Sequence, residues 1–188
     1  MVNFMGELNL NLIKIKGEIN MRNNATKRIV YSAIIAAIYA ALTLFLAPIS
    51  FGPVQLRISE VMVLLAIFDP LYIIGLTLGC FIANIFGSGV IDAMFGTLAT
   101  FISVVLIYFT GKLKIRELPK LFIASIWPVI INGLIIGWMI SHFFTEGEES
   151  MWILGGQVAI GEFVAVSIIG VYVIHKFGDK IKRILSLN

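Results

Sequence analysis

GKLKIRELPK, residues 111–120, places four of the chain's fourteen basic residues within ten positions, between two long apolar runs. Residues 91–110 precede it and residues 121–144 follow it. A bilayer core of about 30 Å takes roughly 20 apolar residues as helix, so each run is the length of one crossing. Lys and Arg are retained in loops on the cytoplasmic side, so 111–120 marks that side. Working outward, Lys14, Lys16, Arg22, Lys27 and Arg28 precede the first apolar run, and Lys176, Lys180, Lys182 and Arg183 follow the last. The acidic loop TEGEES, 145–150, then falls outside, and Arg57 is the one basic residue away from the inner side.

Six apolar runs fit this pattern: 30–46, closed by Pro48; 61–68, which is short; 71–86, ended by Gly87-Ser88-Gly89; 91–110; 121–144; and 151–177. The run 61–68 is about half a crossing, which predicts a segment tilted and buried in the bundle or irregular at one end. Counting it as re-entrant would leave five crossings and put 111–120 outside, against its charges. Hydrophobic residues make up 59% of the chain and charged residues 13%, with a mean hydropathy of +0.98. A soluble domain is roughly half apolar and a quarter charged. The predicted fold is therefore an all-α integral membrane protein, a compact bundle of six transmembrane helices with both termini cytoplasmic. Residues 1–25 form a cytoplasmic arm, 26–178 the membrane domain, and 179–188 a basic tail. The location is a cell membrane, crossed several times. The first twenty residues lack the length of a span and the cleavage site of a signal peptide. Met21 opens a basic stretch that leads straight into the first span, which points to Met21 as a natural start.

The net charge of +3 could indicate nucleic acid, but these charges flank spans instead of forming a face, so no nucleic-acid partner is expected. The lone cysteine, Cys80, excludes an intramolecular disulfide. There is no P-loop, Rossmann fingerprint, zinc spacing or G-x-S-x-G elbow. No catalytic residue, metal or cofactor is assigned, and the chain is read as a non-enzyme.

Small residues recur every fourth position: Ala33, Ala37 and Ala41 on the first span, with Ala36 and Ala40 beside them; Gly75, Gly79, Ala83 and Gly87 on the third; Gly133 and Gly137 on the fifth. This spacing lets helices approach closely in lipid. The third and fifth rows read as internal packing, whereas the Ala33 row could face another subunit. Polar residues within apolar spans are expensive and mark function by default. Here they are Glu60, Asn84, Asp92, Asn132 and Glu162, with Arg57 and Gln55 at the edge. At a helical rise of 1.5 Å, Asn132 and Glu162 both lie about 16–18 Å below the outer surface. The others lie near outer ends of spans. Together they describe a funnel open to the outside, with an Asn/Glu floor and a charged rim. Trp138 is the candidate aromatic wall, with Trp127, Phe95 and Phe163 also in range. Plainer roles compete: Arg57 and Glu60 could form an intrahelical ion pair, Asp92 could cap a helix start, and Asn132 could bond a neighbouring helix. Glu162 has no Lys or Arg on the last two spans to neutralise it. Asp69 and His142 read as ordinary interfacial residues.

The runs VQLRISEVMVLLAIFDP (54–70), IGLTLGCFIANIFGSGVIDAMFGTLAT (74–100), INGLIIG (131–137) and GQVAIGEF (156–163) resemble the QueT family. These are substrate-capture (S) components of energy-coupling factor (ECF) transporters, assigned to queuosine precursors. The resemblance covers roughly residues 26–175, and the Ala33, Ala37, Ala41 row looks like the signature by which S components dock on a partner. It implies a subunit that captures 7-cyano- or 7-aminomethyl-7-deazaguanine from outside, working with an ECF transmembrane scaffold subunit and two ATPase subunits. A guanine-like edge offers N1–H and a 2-amino group, which a carboxylate accepts together with charge assistance. Glu162 is the candidate for that role. Asn132 and Asn84 could donate to O6 or a ring nitrogen and also accept, Glu60 or Asp92 would meet an aminomethyl cation, and Arg57 would close the rim through Glu60 or Asp92. An S component for another flat vitamin, a flavin or a pterin, is the alternative.

Overall fold

In a computed structural model of the chain, residues 25–185 are described, apart from Pro53. The expectations for the arm before residue 25, including a start at Met21, lie outside the described residues. Among the described residues every regular element is a helix. Helix α1 spans Ala25–Phe45. A single turn, Ala47–Ser50, follows with Pro48 in its first positions. Then come α2, a 3-10 helix over Ile58–Ile67; α3, Leu71–Gly87; α4, Val90–Gly111; α5, Glu117–Phe143; and α6, Met151–Ile184. Within α6 the stretch Phe163–Gly170 is π-helical.

Four of these helices, α1, α4, α5 and α6, are long and apolar enough to cross a membrane; α2 and α3 are shorter apolar helices. The short second run is thus both irregular and buried. Its 3-10 winding rises about 2.0 Å per residue, so its ten residues reach about 20 Å where an α-helix would reach about 15 Å. Val63, Leu64 and Ala66 are fully enclosed, packed against α3, α4 and the π-helical part of α6. Helix α5 begins at Glu117, inside the basic segment, instead of at residue 121. Helix α6 continues through residues expected to form a tail. Ile174 and Ile181 pack on the core there, while Lys176, Lys180, Lys182 and Arg183 stay exposed, an amphipathic pattern that keeps the helix going.

The glycine rows pack inside, as expected. A methyl group added at Gly79 would lie 2.8 Å from the carbonyl oxygen of Ala36 and 2.9 Å from Cβ of Tyr39, so α1 sits directly on α3. One added at Gly137 would lie 2.5 Å from Cα of Gly155, so α5 and α6 approach equally closely. On α1 the face carrying Ile35, Ala36, Tyr39 and Ala40 is buried, and the row Ala33, Ala37, Ala41 is exposed.

At one end of the bundle Gly111 lies against Ile67, and Gly178 against Glu117 and Phe68. Asp69 is more than an interfacial residue at this end. It accepts from Arg28 Nε at 2.8 Å and Nη2 at 2.6 Å and also from the backbone N–H of Leu71. Such two-pronged pairs are geometrically specific, so this one ties the start of α1 to the turn between α2 and α3. At the opposite end Phe51, Ser88, Phe144 and Glu149 surround one cavity.

Candidate substrate-binding site

The strap 51–57, between the single turn and α2, organises this second end. Gln55 takes a left-handed backbone conformation, φ +47°, which folds the strap back onto α6. A methyl group at Gly161 would lie 2.2 Å from the carbonyl oxygen of Val54. Only glycine lets the strap rest there, one residue before Glu162. The Phe51 ring lies just as tightly over Gly87.

Arg57 anchors the strap. It is buried, donates from Nη2 to Asp92 Oδ2 and to Gln55 Oε1, each at 3.2 Å, and its Nε reaches the Ser50 carbonyl at 3.4 Å. Its guanidinium also stands 5.2 Å from the centre of the Phe51 ring. Arg57 therefore pairs with Asp92 across the bundle, and the ion pair with Glu60 that the sequence allowed does not form. Asp92 lies in the first turn of α4, where free N–H groups favour a carboxylate, and it also accepts from the Ser88 hydroxyl. Breaking one side of such a buried pair costs about 3–5 kcal/mol.

The floor is buried deeper. Asn132 on α5 donates from Nδ2 to Glu162 Oε1 at 2.8 Å, so the two residues predicted at equal depth do meet. Asn132 bonds a neighbouring helix, and what it bonds there is the floor carboxylate. Glu162 is the last residue of the α-helical half of α6, where the ladder switches to π spacing; such stretches often mark functional sites. Glu60 on α2 accepts from the Tyr39 hydroxyl. Asn84 uses its donors inside the protein: Nδ2 donates to Cys80 Sγ and to the Asp92 carbonyl, each at 3.3 Å, which leaves Oδ1 as an acceptor.

Four buried oxygens in this group have no partner: Glu60 Oε2, Asn84 Oδ1, Asp92 Oδ1 and Glu162 Oε2. Each unsatisfied buried acceptor costs about 1–3 kcal/mol. All four are acceptors, so a molecule rich in N–H donors would satisfy them. A cavity of about 460 Å³ opens at the strap end of the bundle, lined by Phe51, Gln55, Asp92, Phe144, Glu149 and Gln157 among others; Glu60, Asn84, Asn132 and Glu162 do not line it. It lies within the 300–1,000 Å³ range usual for small ligands. Glu162 is five residues along α6 from Gln157, about 7.5 Å along the helix axis.

Trp138 does not join this cavity. It is exposed, edge-on to Phe95 at 5.5 Å and stacked on His142 at 5.3 Å. The rings that line the cavity are Phe51 and Phe144, neither singled out by the sequence. Tyr39 was missed as well. The signal available was its spacing with Thr43, which places two hydroxyls on the buried side of α1.

The family model described as QueT transporter matches residues 29–178. The chain belongs to the QueT transporter family. A QueT protein of Lactococcus lactis subsp. cremoris (strain MG1363), named queuosine precursor transporter, is 31% identical over 166 residues, covering 86% of this chain and 98% of its own length. No solved structure matches. The QueT match takes in the strap, the cavity, the floor and the exposed alanine row. With its long apolar helices, the chain is a multi-pass membrane protein whose family moves solutes.

Proposed function

We propose that this QueT-family chain captures a queuosine precursor, 7-cyano- or 7-aminomethyl-7-deazaguanine, at the outer face of the cell membrane, as the S component of an ECF importer. The observation that carries the substrate reading is the floor: Glu162 Oε1 is fixed by Asn132 while Oε2 is buried and unpartnered. A carboxylate so held accepts N1–H and the 2-amino group of a guanine-like edge. Asn84 Oδ1 and Glu60 Oε2 supply further acceptors, and Phe51 or Phe144 provides a ring on which a flat base stacks. The name of the Lactococcus relative agrees.

In this reading the chain crosses the membrane six times. The basic segment 111–120 and the basic end of α6 lie inside, with the acidic loop 145–150 outside. The grouping of loops at two ends of the bundle supports that count. Two features fit the S-component role. The sequence carries no P-loop, which fits a subunit energised by partner ATPases. Ala33, Ala37 and Ala41 form an exposed row of small residues, a surface on which a scaffold helix packs closely. The test is calorimetric titration of the detergent-solubilised protein with both deazapurines, and with riboflavin and a pterin. Saturable binding of a deazapurine alone supports the reading; binding of the flavin or pterin instead replaces it.

A further inference from the structure

Tyr39 is fully enclosed, with no exposed surface, on the buried face of α1 beside Ile35, Ala36, Ala40 and Thr43. Its hydroxyl donates to Glu60 Oε1. A second link runs beside it: the Thr43 hydroxyl lies 2.6 Å from the Ser59 hydroxyl and 2.8 Å from the Tyr39 carbonyl oxygen. These two links join α1 to α2 where α2 begins, directly beneath the strap. Glu60 Oε2 is buried and makes no hydrogen bond.

We propose that Tyr39 is a positioning residue for substrate binding: it fixes the Glu60 carboxylate through Oε1 so that Oε2 is presented to a donor on the ligand. This rests on the assignment of the Glu60 cluster as a deazapurine site. The chemistry follows from the hydroxyl. A phenol O–H is one donor; given to Oε1, it favours one orientation of the carboxylate. A ligand meeting an ordered acceptor does not have to order it on binding. The same role recurs on the floor, where Asn132 holds Glu162 by one oxygen and leaves the other open. Both buried carboxylates are thus held by one oxygen from a neighbouring helix.

The test is a double-mutant cycle in the full-length, detergent-solubilised protein: wild type, Y39F, E60Q and Y39F/E60Q, each titrated with 7-aminomethyl-7-deazaguanine. Phe keeps the ring and its packing. Y39F should weaken binding about fivefold or more, the worth of one hydrogen bond of ordinary strength. E60Q should weaken it more, and the double variant should bind like E60Q alone, because Tyr39 acts only through Glu60. Such non-additivity is what two independent contributions to binding would not produce. Losses that multiply, unchanged affinity in Y39F, or unchanged affinity in E60Q would each overturn the proposal while leaving the site's ligand in place. Wild-type protein that fails to bind the deazapurine would overturn the function reading itself, and this proposal with it. Thermal unfolding of ligand-free Y39F gives a separate check. A large fall in unfolding temperature with affinity intact makes Tyr39 a packing residue and refutes the positioning role.

Discussion

Replacing Glu162 by Gln changes one atom at the centre of the floor. Oε1 still accepts from Asn132 Nδ2, now 2.8 Å away, because an amide oxygen accepts as well. The unpartnered Oε2 becomes an NH2 group, a donor facing the donors of the ligand. A hydrogen bond to a charged group contributes about 1.5–3 kcal/mol, so affinity for a deazapurine should fall about 10- to 150-fold. The ligand-free protein should not suffer. It loses a buried carboxylate oxygen that had no partner, and the side-chain volume is kept, so its unfolding temperature should hold or rise. Titration calorimetry and thermal unfolding in the same detergent read both quantities. Affinity within about twofold of wild type would remove Glu162 from the site. A fall in unfolding temperature together with the lost affinity would make it a structural residue.

Other substitutions separate the remaining roles. A37W places a large ring on the exposed face of α1, far from the strap; ligand binding in detergent should persist while uptake and co-purification with an ECF module are lost, and joint loss of both would place the row inside the bundle. E60Q should weaken the aminomethyl ligand far more than the cyano one, as read by paired titrations. D92N should weaken both alike, because Asp92 is already engaged by Arg57 and Ser88 and its loss loosens the strap. G161A puts a methyl group 2.2 Å from the Val54 carbonyl and must displace the strap. Overpacking of about 1–3 kcal/mol predicts binding weaker by up to about a hundredfold, with membrane insertion unchanged by fractionation.

Helix positions were legible because their causes are local. Pro70 and Gly87-Ser88-Gly89 each end or start an element within a residue or two of where the sequence puts it, and the charged segment 111–120 ends α4 as expected, although α5 starts four residues early at Glu117. The inward orientation of the Gly75 and Gly133 rows was legible for the same reason: small residues at helical spacing have one efficient use in lipid. What stayed hidden depends on pairing across the chain. Arg57 and Asp92 are 35 positions apart, and no periodicity joins them, so the sequence left Asp92 and the nearer Glu60 both open as partners and only the folded bundle selects Asp92. Arg28 and Asp69 are 41 apart and pair for the same tertiary reason. The amide direction of Asn84 follows from Cys80 and the Asp92 carbonyl, which only the folded bundle brings to it. Trp138 was misplaced because depth along a helix was legible and the direction it faces was not. The 3-10 winding of α2 and the π stretch after Glu162 leave no composition signal, since both are apolar runs that would serve equally as α-helix.

Native mass spectrometry of the full chain, purified gently in detergent from cells supplied with queuosine precursors, tests substrate capture most directly. One deazapurine per protein should remain bound in the wild type and be lost in E162Q. A wild-type protein that carries no deazapurine, or carries a flavin or pterin in its place, would contradict it.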